Sequence, residues 1–279
     1  MSSELRIDEI GHWSEVKLAI LAKYARLYNQ ILQSNRLRSV YIDGFAGAGY
    51  HKAKGSQRMI DGSPTRALKA KPPFDEFHFV DMDPQRAGAL AGLGKGWKNV
   101  HVYEGDCNQI LLDQVFPQIK WENFQRALCI LDPYGLHLDW QVIKTAGDSN
   151  VVEIFLNFPV MDMNMNVFWA NPDRVTEANQ LRMTRFWGDE SWRQAAYEPV
   201  QGLFGEMQEK NSIDRIAQAF QSRLKKAAGF GYVPEPIPMR NTKGAIVYYL
   251  FFAAQKATAH RIVKYIFEQS ARYGDVLNG

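Results

Sequence analysis

The chain has 279 residues, 46% of them hydrophobic and 23% charged, a composition that suits a folded globular protein with a full core and excludes a disordered, fibrous or disulfide-built one. Its net charge of +3 and pI near 8.7 permit a nucleic-acid partner without requiring one, because clustering of basic residues matters more than their total. The two cysteines, Cys107 and Cys129, lie in apolar surroundings without paired spacing, and no run approaches the apolar length of a membrane span. The expectation is therefore a cytoplasmic, soluble chain without a metal site or a membrane partner.

Residues 14–36 repeat apolar side chains at Ile20, Tyr24, Leu27, Tyr28 and Ile31, with Lys17, Lys23 and Arg26 between them. This predicts one amphipathic helix with Ser14 as N-cap. Five short runs rich in strand formers follow, at 39–44, 76–81, 99–106, 127–132 and 151–158, several apolar almost throughout, as parallel strands covered on both faces should be. Between them, Ser63-Pro64 reads as an N-cap with Pro at the first helical position, and Pro84–Ala91 and Asn108–Gln114 as short helices. The alternation predicts an α/β fold: a doubly wound, Rossmann-like parallel sheet with right-handed crossovers.

Residues 160–229 depart from that pattern, with apolar periodicity at about 173–186, 191–208 and 212–227 and no convincing strand, and are read as a helical insertion. Arg182, Arg185 and Arg193 alternate there with Phe186, Trp187 and Trp192, a pattern of core or of a binding surface, with core favoured. Two extended runs, 231–240 and 245–254, flank the turn-rich Asn241-Thr242-Lys243-Gly244 and predict a C-terminal hairpin. A helix at His260–Tyr273 closes the chain. With no flexible linker, 1–279 reads as one elaborated domain: core 38–159 and 230–279, with the insertion between.

Ligands of such sheets bind at the carboxyl ends of the strands, and each strand here ends in a polar or glycine signature. The first ends Asp43-Gly44-Phe45-Ala46-Gly47-Ala48-Gly49. The run fits neither a P-loop nor a dinucleotide fingerprint, and Asp43 would repel a pyrophosphate while suiting a ligand with an ammonium and a sulfonium. That points to S-adenosylmethionine, its methionine part held by Asp43, Gly44, Phe45, Gly47 and Gly49. Asp81 at the second strand end reads as a ribose acceptor or a helix N-cap, and Asp106 at the third as an adenine partner or another cap. The fourth ends Asp132-Pro133-Tyr134-Gly135, where Asp132 and the Pro133 carbonyl can accept from an amine and the Tyr134 ring can stack on a planar base. The basic loop 50–58, with Lys52, Lys54 and Arg58, reads as a phosphate grip or as a solvated lid. The six histidines are scattered, and His78 and His101 read as structural.

These residues, with Trp13 and the Lys17 helix, Gly62-Ser63-Pro64, Asn157-Phe158-Pro159 and the run from Tyr248 to Ala253, resemble the three-Cys-motif partner (TcmP) family of class I methyltransferase-like proteins over nearly the full length. The resemblance implies a seven-stranded methyltransferase sheet whose last two strands come from the hairpin, and a separate three-cysteine protein as partner. The Asp-Pro-aromatic run is also similar to that of nucleic-acid amino-methyltransferases, with Gly135 a departure. The leading expectation is thus an S-adenosylmethionine-dependent methyltransferase acting on an exocyclic amine of a DNA or RNA base. The alternative is a non-catalytic, S-adenosylmethionine-binding subunit of the three-cysteine protein.

Overall fold

The structure is a computed structural model and describes residues 5, 7–202, 205–241 and 243–276. In chain order the elements are β1 (Glu9–Ile10), α1 (His12–Ser34), β2 (Arg38–Asp43), β3 (Tyr50–Ala53), β4 (Met59–Asp61), α2 (Ser63–Leu68), β5 (Glu76–Asp81), α3 (Pro84–Leu93), β6 (Val100–Glu104), α4 (Cys107–Ile110), β7 (Gln125–Leu131), α5 (Trp140–Ser149) and β8 (Val152–Phe158). They continue with α6 (Val160–Asn166), α7 (Glu177–Trp187), α8 (Trp192–Ala196), β9 (Tyr197–Gly202), β10 (Gly205–Lys210), α9 (Ile213–Lys226), β11 (Ile237–Arg240), β12 (Ile246–Ala253) and α10 (Ala257–Val276).

Seven strands form one sheet in the order β11-β12-β8-β7-β2-β5-β6. β2 pairs in parallel with β5 and β7, β5 with β6, and β7 with β8, whereas β12 runs antiparallel to both β8 and β11. Six strands therefore share one direction and β12 opposes them, which is the Rossmann-like class I methyltransferase arrangement. The chain order reverses between β2 and β7, so the crevice where such sheets take ligands lies at their carboxyl ends. Alternate strand residues enter separate cores. Val40, Ile42, Cys129, Ile154 and Phe158 face one side. Tyr41, Phe77, Phe79, Ile130 and Phe155 face the other, where α1 and α10 cover them.

Several boundaries differ from the sequence reading for identifiable reasons. α1 starts at His12 with Gly11 as an extended N-cap, because the Ser14 amide bonds to the Gly11 carbonyl at 3.1 Å; Ser14 already lies inside the first turn. Likewise Gly62, not Ser63, caps α2, its amide held by the Gly49 carbonyl at 2.8 Å. The segment 160–229 is largely helical, but the helix expected over 191–208 stops at Ala196 and the antiparallel β9–β10 hairpin follows. In the basic segment 50–58, Tyr50–Ala53 is strand β3, which pairs with β4 as a hairpin across the turn at 54–58, and β1 adds to β3 in parallel. The C-terminal hairpin forms with β11 and β12, while Thr242 of its turn lies outside the described residues.

The aromatic and basic residues of the insertion divide by packing. Phe186, Trp187 and Trp192 are buried, and the Phe158, Phe220 and Phe186 rings pack at centroid distances of 4.7–5.8 Å. Arg182, Arg185 and Arg193 pair with Asp162, Asp139 and Glu190. Core is the outcome. His78 and His101 stack at 5.0 Å above Glu76, a structural arrangement. Among the described residues no helix is long and apolar enough to cross a membrane.

Candidate functional site

Two adjoining cavities open at the carboxyl ends of the strands and share Phe45 and Tyr134. The first, about 460 Å³, is bordered by Gly44, Asp81, Asp83, Asp106 and His137 from the β2, β5, β6 and β7 ends. The second, about 660 Å³, is bordered by Lys17, Gly47, His51, Asp132, Asn157 and Tyr248. A ligand long enough to pass Phe45 would thus meet the glycine turn in both cavities.

Asp43 ends β2 between Phe79 of β5 and Ile130 of β7. Its side chain is fully buried; Oδ1 accepts the Phe45 amide at 3.3 Å and Oδ2 has no hydrogen-bond partner. Burial pushes its pKa up to about 7, and the nearby Asp132 charge reinforces the rise. A buried carboxyl with an idle oxygen is a costly arrangement that a cationic or hydrogen-bond-donating ligand would relieve. Asp81 instead uses both oxygens locally, accepting the Gly47 amide at 2.8 Å and the Asp83 amide at 2.9 Å, and so fixes the glycine turn to the end of β5. The cap of α3 is Asp83. Asp106 does cap α4, through Oδ1 and the Asn108 amide at 2.6 Å, while also lining the first cavity.

The run after β7 is more constrained than the sequence suggests. Asp132 Oδ2 accepts a hydrogen bond and ion pair from Lys17 Nζ. Burial alone would lower the Lys17 pKa, but Asp132 outweighs it and the ammonium is held above its ordinary value. Lys17 also lies 5.2 Å from the Tyr248 ring centroid. Tyr134 is 59% exposed, its ring 5.6 Å from the Arg86 guanidinium. Its hydroxyl donates to Asp8 and accepts from Arg86 at 3.0 Å, and Arg86 in turn pairs with Asp8 at 2.9 Å. The segment leading into β1 is thereby tied to Tyr134, which lines both cavities, and its Asp8 lines the second. Gly135 follows with φ +62° and lies where a Cβ would meet the Asp162 carboxylate at 2.7 Å, which accounts for glycine at the position after the aromatic.

Not every expected residue joins this site. Arg58 Nη2 donates to both Glu15 carboxylate oxygens at 2.8 and 2.9 Å, and Arg58 lies outside both cavity linings. Lys52 and Lys54 lie on β3 and just after it, outside both cavity linings. Conversely, the sequence reading passed over Lys17, Asp8, Arg86, His51 and Asn157 as site residues. Asn157 Oδ1 and His51 Nδ1 are buried without partners, and both residues border the second cavity. Lys17 carried a legible signal: it precedes Ile20, Leu21 and Tyr24 by three, four and seven positions, which puts it on the buried face of its helix.

No family model matches the sequence, and no curated protein matches it. Among solved structures, a Legionella pneumophila protein assigned to the family model DUF519 is similar over 90% of this chain and 91% of its own, at 11% identity and TM-score 0.48. A candidate methyltransferase from Thermobifida fusca covers 88% of this chain and 82% of its own, at 14% identity and TM-score 0.45. Magnesium protoporphyrin IX methyltransferase from Synechocystis, crystallised with S-adenosylhomocysteine, covers 87% and 83%, at 11% identity and TM-score 0.38. At such identities and scores these likenesses bear on no ligand or substrate, and it is the strand order and the lone antiparallel β12 that define the fold as that of a class I methyltransferase.

Proposed function

We propose that this chain is a methyltransferase that takes its methyl group from S-adenosylmethionine and delivers it to an exocyclic amine of a nucleic-acid base. The observation that carries the reading is the buried Asp43 with its idle oxygen, set in a glycine turn that borders two joined cavities. The cofactor supplies a methyl group on a sulfonium, already a good leaving group, so the protein's task is alignment more than acid-base chemistry. Asp43 receives the amino group of the methionine part, with the backbone of Gly44, Phe45, Gly47 and Gly49 around it. Asp81 and Asp106 serve the ribose and adenine sides of the first cavity, Asp106 through the oxygen not used in capping.

In the second cavity the acceptor amine lies between Asp132 Oδ1 and the Pro133 carbonyl, with Tyr134 against the base. Lys17 holds Asp132 fixed in direction, so that its remaining lone pairs orient the amine hydrogens. The amine so held would present its lone pair to the methyl group that the cofactor supplies, and its surplus proton would leave to water. Lys52 and Lys54, on the adjoining hairpin, contact the phosphate backbone. The occupied Asp132 Oδ2 and Tyr134 hydroxyl favour a second reading, in which the chain binds the cofactor as a non-catalytic subunit of a three-cysteine partner.

Calorimetry with S-adenosylmethionine and transfer of labelled methyl groups to oligonucleotides, with and without the three-cysteine protein, test both. Binding lost in Asp43→Ala together with transfer lost in Asp132→Ala supports the enzyme. Binding without transfer under any condition supports the subunit, and undiminished binding in Asp43→Ala overturns the cofactor assignment.

A further inference from the structure

A third cavity lies at the opposite end of the strands, where β7 and β8 begin, walled by α1 and the start of α10. Its volume is about 300 Å³ and its walls are largely apolar, with Ile31, Leu32, Val152, Ala259 and Ile262 among them. Two observations distinguish it from a packing gap. The Tyr28 hydroxyl, on a residue only 6% exposed, borders the cavity and has no hydrogen-bond partner. Arg126 and Lys256 flank the half-exposed Trp121 at the mouth, 3.5 and 5.8 Å from its ring centroid, and neither has a carboxylate partner among the described residues. A buried hydroxyl without an acceptor is a donor in want of one, and two cations beside an apolar cavity call for an anion.

We infer that this cavity binds a small amphiphilic carboxylate, its apolar body between α1 and α10 and its carboxylate taken by the Tyr28 hydroxyl and the Arg126 guanidinium, with Lys256 adding charge at the mouth. Glu153 is the counterweight. It borders the same cavity and accepts the Tyr24 hydroxyl at 2.5 Å, and burial pushes its pKa up to about 7. Protonated, it tolerates an anion beside it; ionised, it repels one. An amine ligand would reverse this preference, since Glu153 would attract it and Arg126 oppose it. The three groups therefore select between ligand signs, and the two unpaired cations with the idle Tyr28 donor set the selection towards a carboxylate. The site is independent of the methyl-transfer reading, although α1 and β8 each reach from one cavity to the other: Lys17 and Tyr28 lie on α1, Asn157 and Glu153 on β8.

The test is calorimetry on the whole chain at pH 6 with three probes of equal chain length: decanoate, decanol and decylamine. Decanoate is expected to bind tightest and decylamine weakest. Arg126→Gln should weaken decanoate about tenfold or more, the loss of a charge-assisted hydrogen bond, while leaving decanol unchanged. Glu153→Gln should maintain decanoate binding as the pH is raised to 8, where the parent loses it. Ala259→Phe should exclude all three probes by filling the cavity. Thermal unfolding of each variant checks that it is folded, and Arg126→Gln, at the rim, decides the matter if Ala259→Phe is not. Tightest binding of decylamine, equal binding of decanoate by Arg126→Gln and the parent, or no binding of any probe would each overturn the proposal.

Discussion

Lys17, near the start of the first long helix, and Asp132, just past the fourth core strand, are 115 positions apart in sequence and joined by an ion pair in the second cavity. The Lys17 side chain is 10% exposed and that of Asp132 36%, so the pair is buried on one side and open on the other. Removing the cation leaves a half-buried carboxylate unpaired. Lys17→Met should cost about 1–3 kcal/mol, below the full figure for a buried pair because Asp132 retains access to water. Methyl transfer should fall further than stability accounts for, since Asp132 loses its fixed direction. Chemical unfolding and a transfer assay on the folded variant separate the two effects.

Asp43 links pH to stability and, under the proposed function, to cofactor binding. Its folded pKa, about 7, is above that of the unfolded chain, so between about pH 4 and pH 7 the folded state holds a proton that the unfolded state has released. Stability from this group therefore falls as pH rises through that window and is level above it. Asp43→Asn should flatten this part of the profile, leaving the similar contribution of Glu153, also raised to about 7. A cationic amine docked on Asp43 displaces the proton, so affinity for S-adenosylmethionine should increase with pH up to about 7 and calorimetry below that pH should register proton release.

The glycine turn predicts a graded pair of substitutions. Gly47 has φ +64° and open space where a Cβ would stand, while Gly49 has φ +81° and a Cβ there would meet Leu93 Cδ1 at 2.3 Å. Gly47→Ala should thus cost only the left-handed backbone strain of about 1–2 kcal/mol. Gly49→Ala adds overpacking to the same strain and should destabilise by about a further 1–3 kcal/mol. Denaturant midpoints give the order; a Gly47→Ala variant less stable than Gly49→Ala would contradict the geometry.

Tyr134→Phe keeps the ring but releases Asp8 and Arg86 from the hydroxyl. A stacking role alone predicts normal substrate affinity. The tie to Asp8 adds a second outcome: the segment ahead of β1 should exchange amide hydrogens faster and be cut sooner by protease, by about fivefold for the loss of a net hydrogen bond of about 1 kcal/mol. Hydrogen exchange of residues 7–10 reads this directly.

The five parallel strands were legible because each is a short apolar run ending in a turn signal, and a ligand crevice at their carboxyl ends follows from that topology. The β9–β10 hairpin was not. Tyr197-Glu198-Pro199-Val200 alternates over too few residues, contains a proline and follows a true helical turn, so the helical period extends through it. Local pattern also hid the β3–β4 hairpin, whose basic residues resemble a solvated loop. Asp81 and Asp106 border the first cavity at their strand ends, and Asp43 stands at the end of β2, buried and outside both cavity linings. The pairing of Lys17 with Asp132, and of Asp8 with Tyr134 and Arg86, is a property of distant segments, and no periodicity within either segment encodes it.

β12 runs against its neighbours and brings Tyr248 into the wall that also holds Lys17 and Asp132. That wall therefore joins the first helix, the middle of the chain and a strand near its end. During synthesis, residues 17 and 132 emerge well before residue 248, and until β12 inserts, β8 is an open sheet edge with its apolar residues uncovered. Long-range pairing of this kind forms slowly and exposes such edges meanwhile. A ribosome-bound chain that stops before residue 237 should accordingly engage chaperones and lack the second cavity, however complete its five parallel strands.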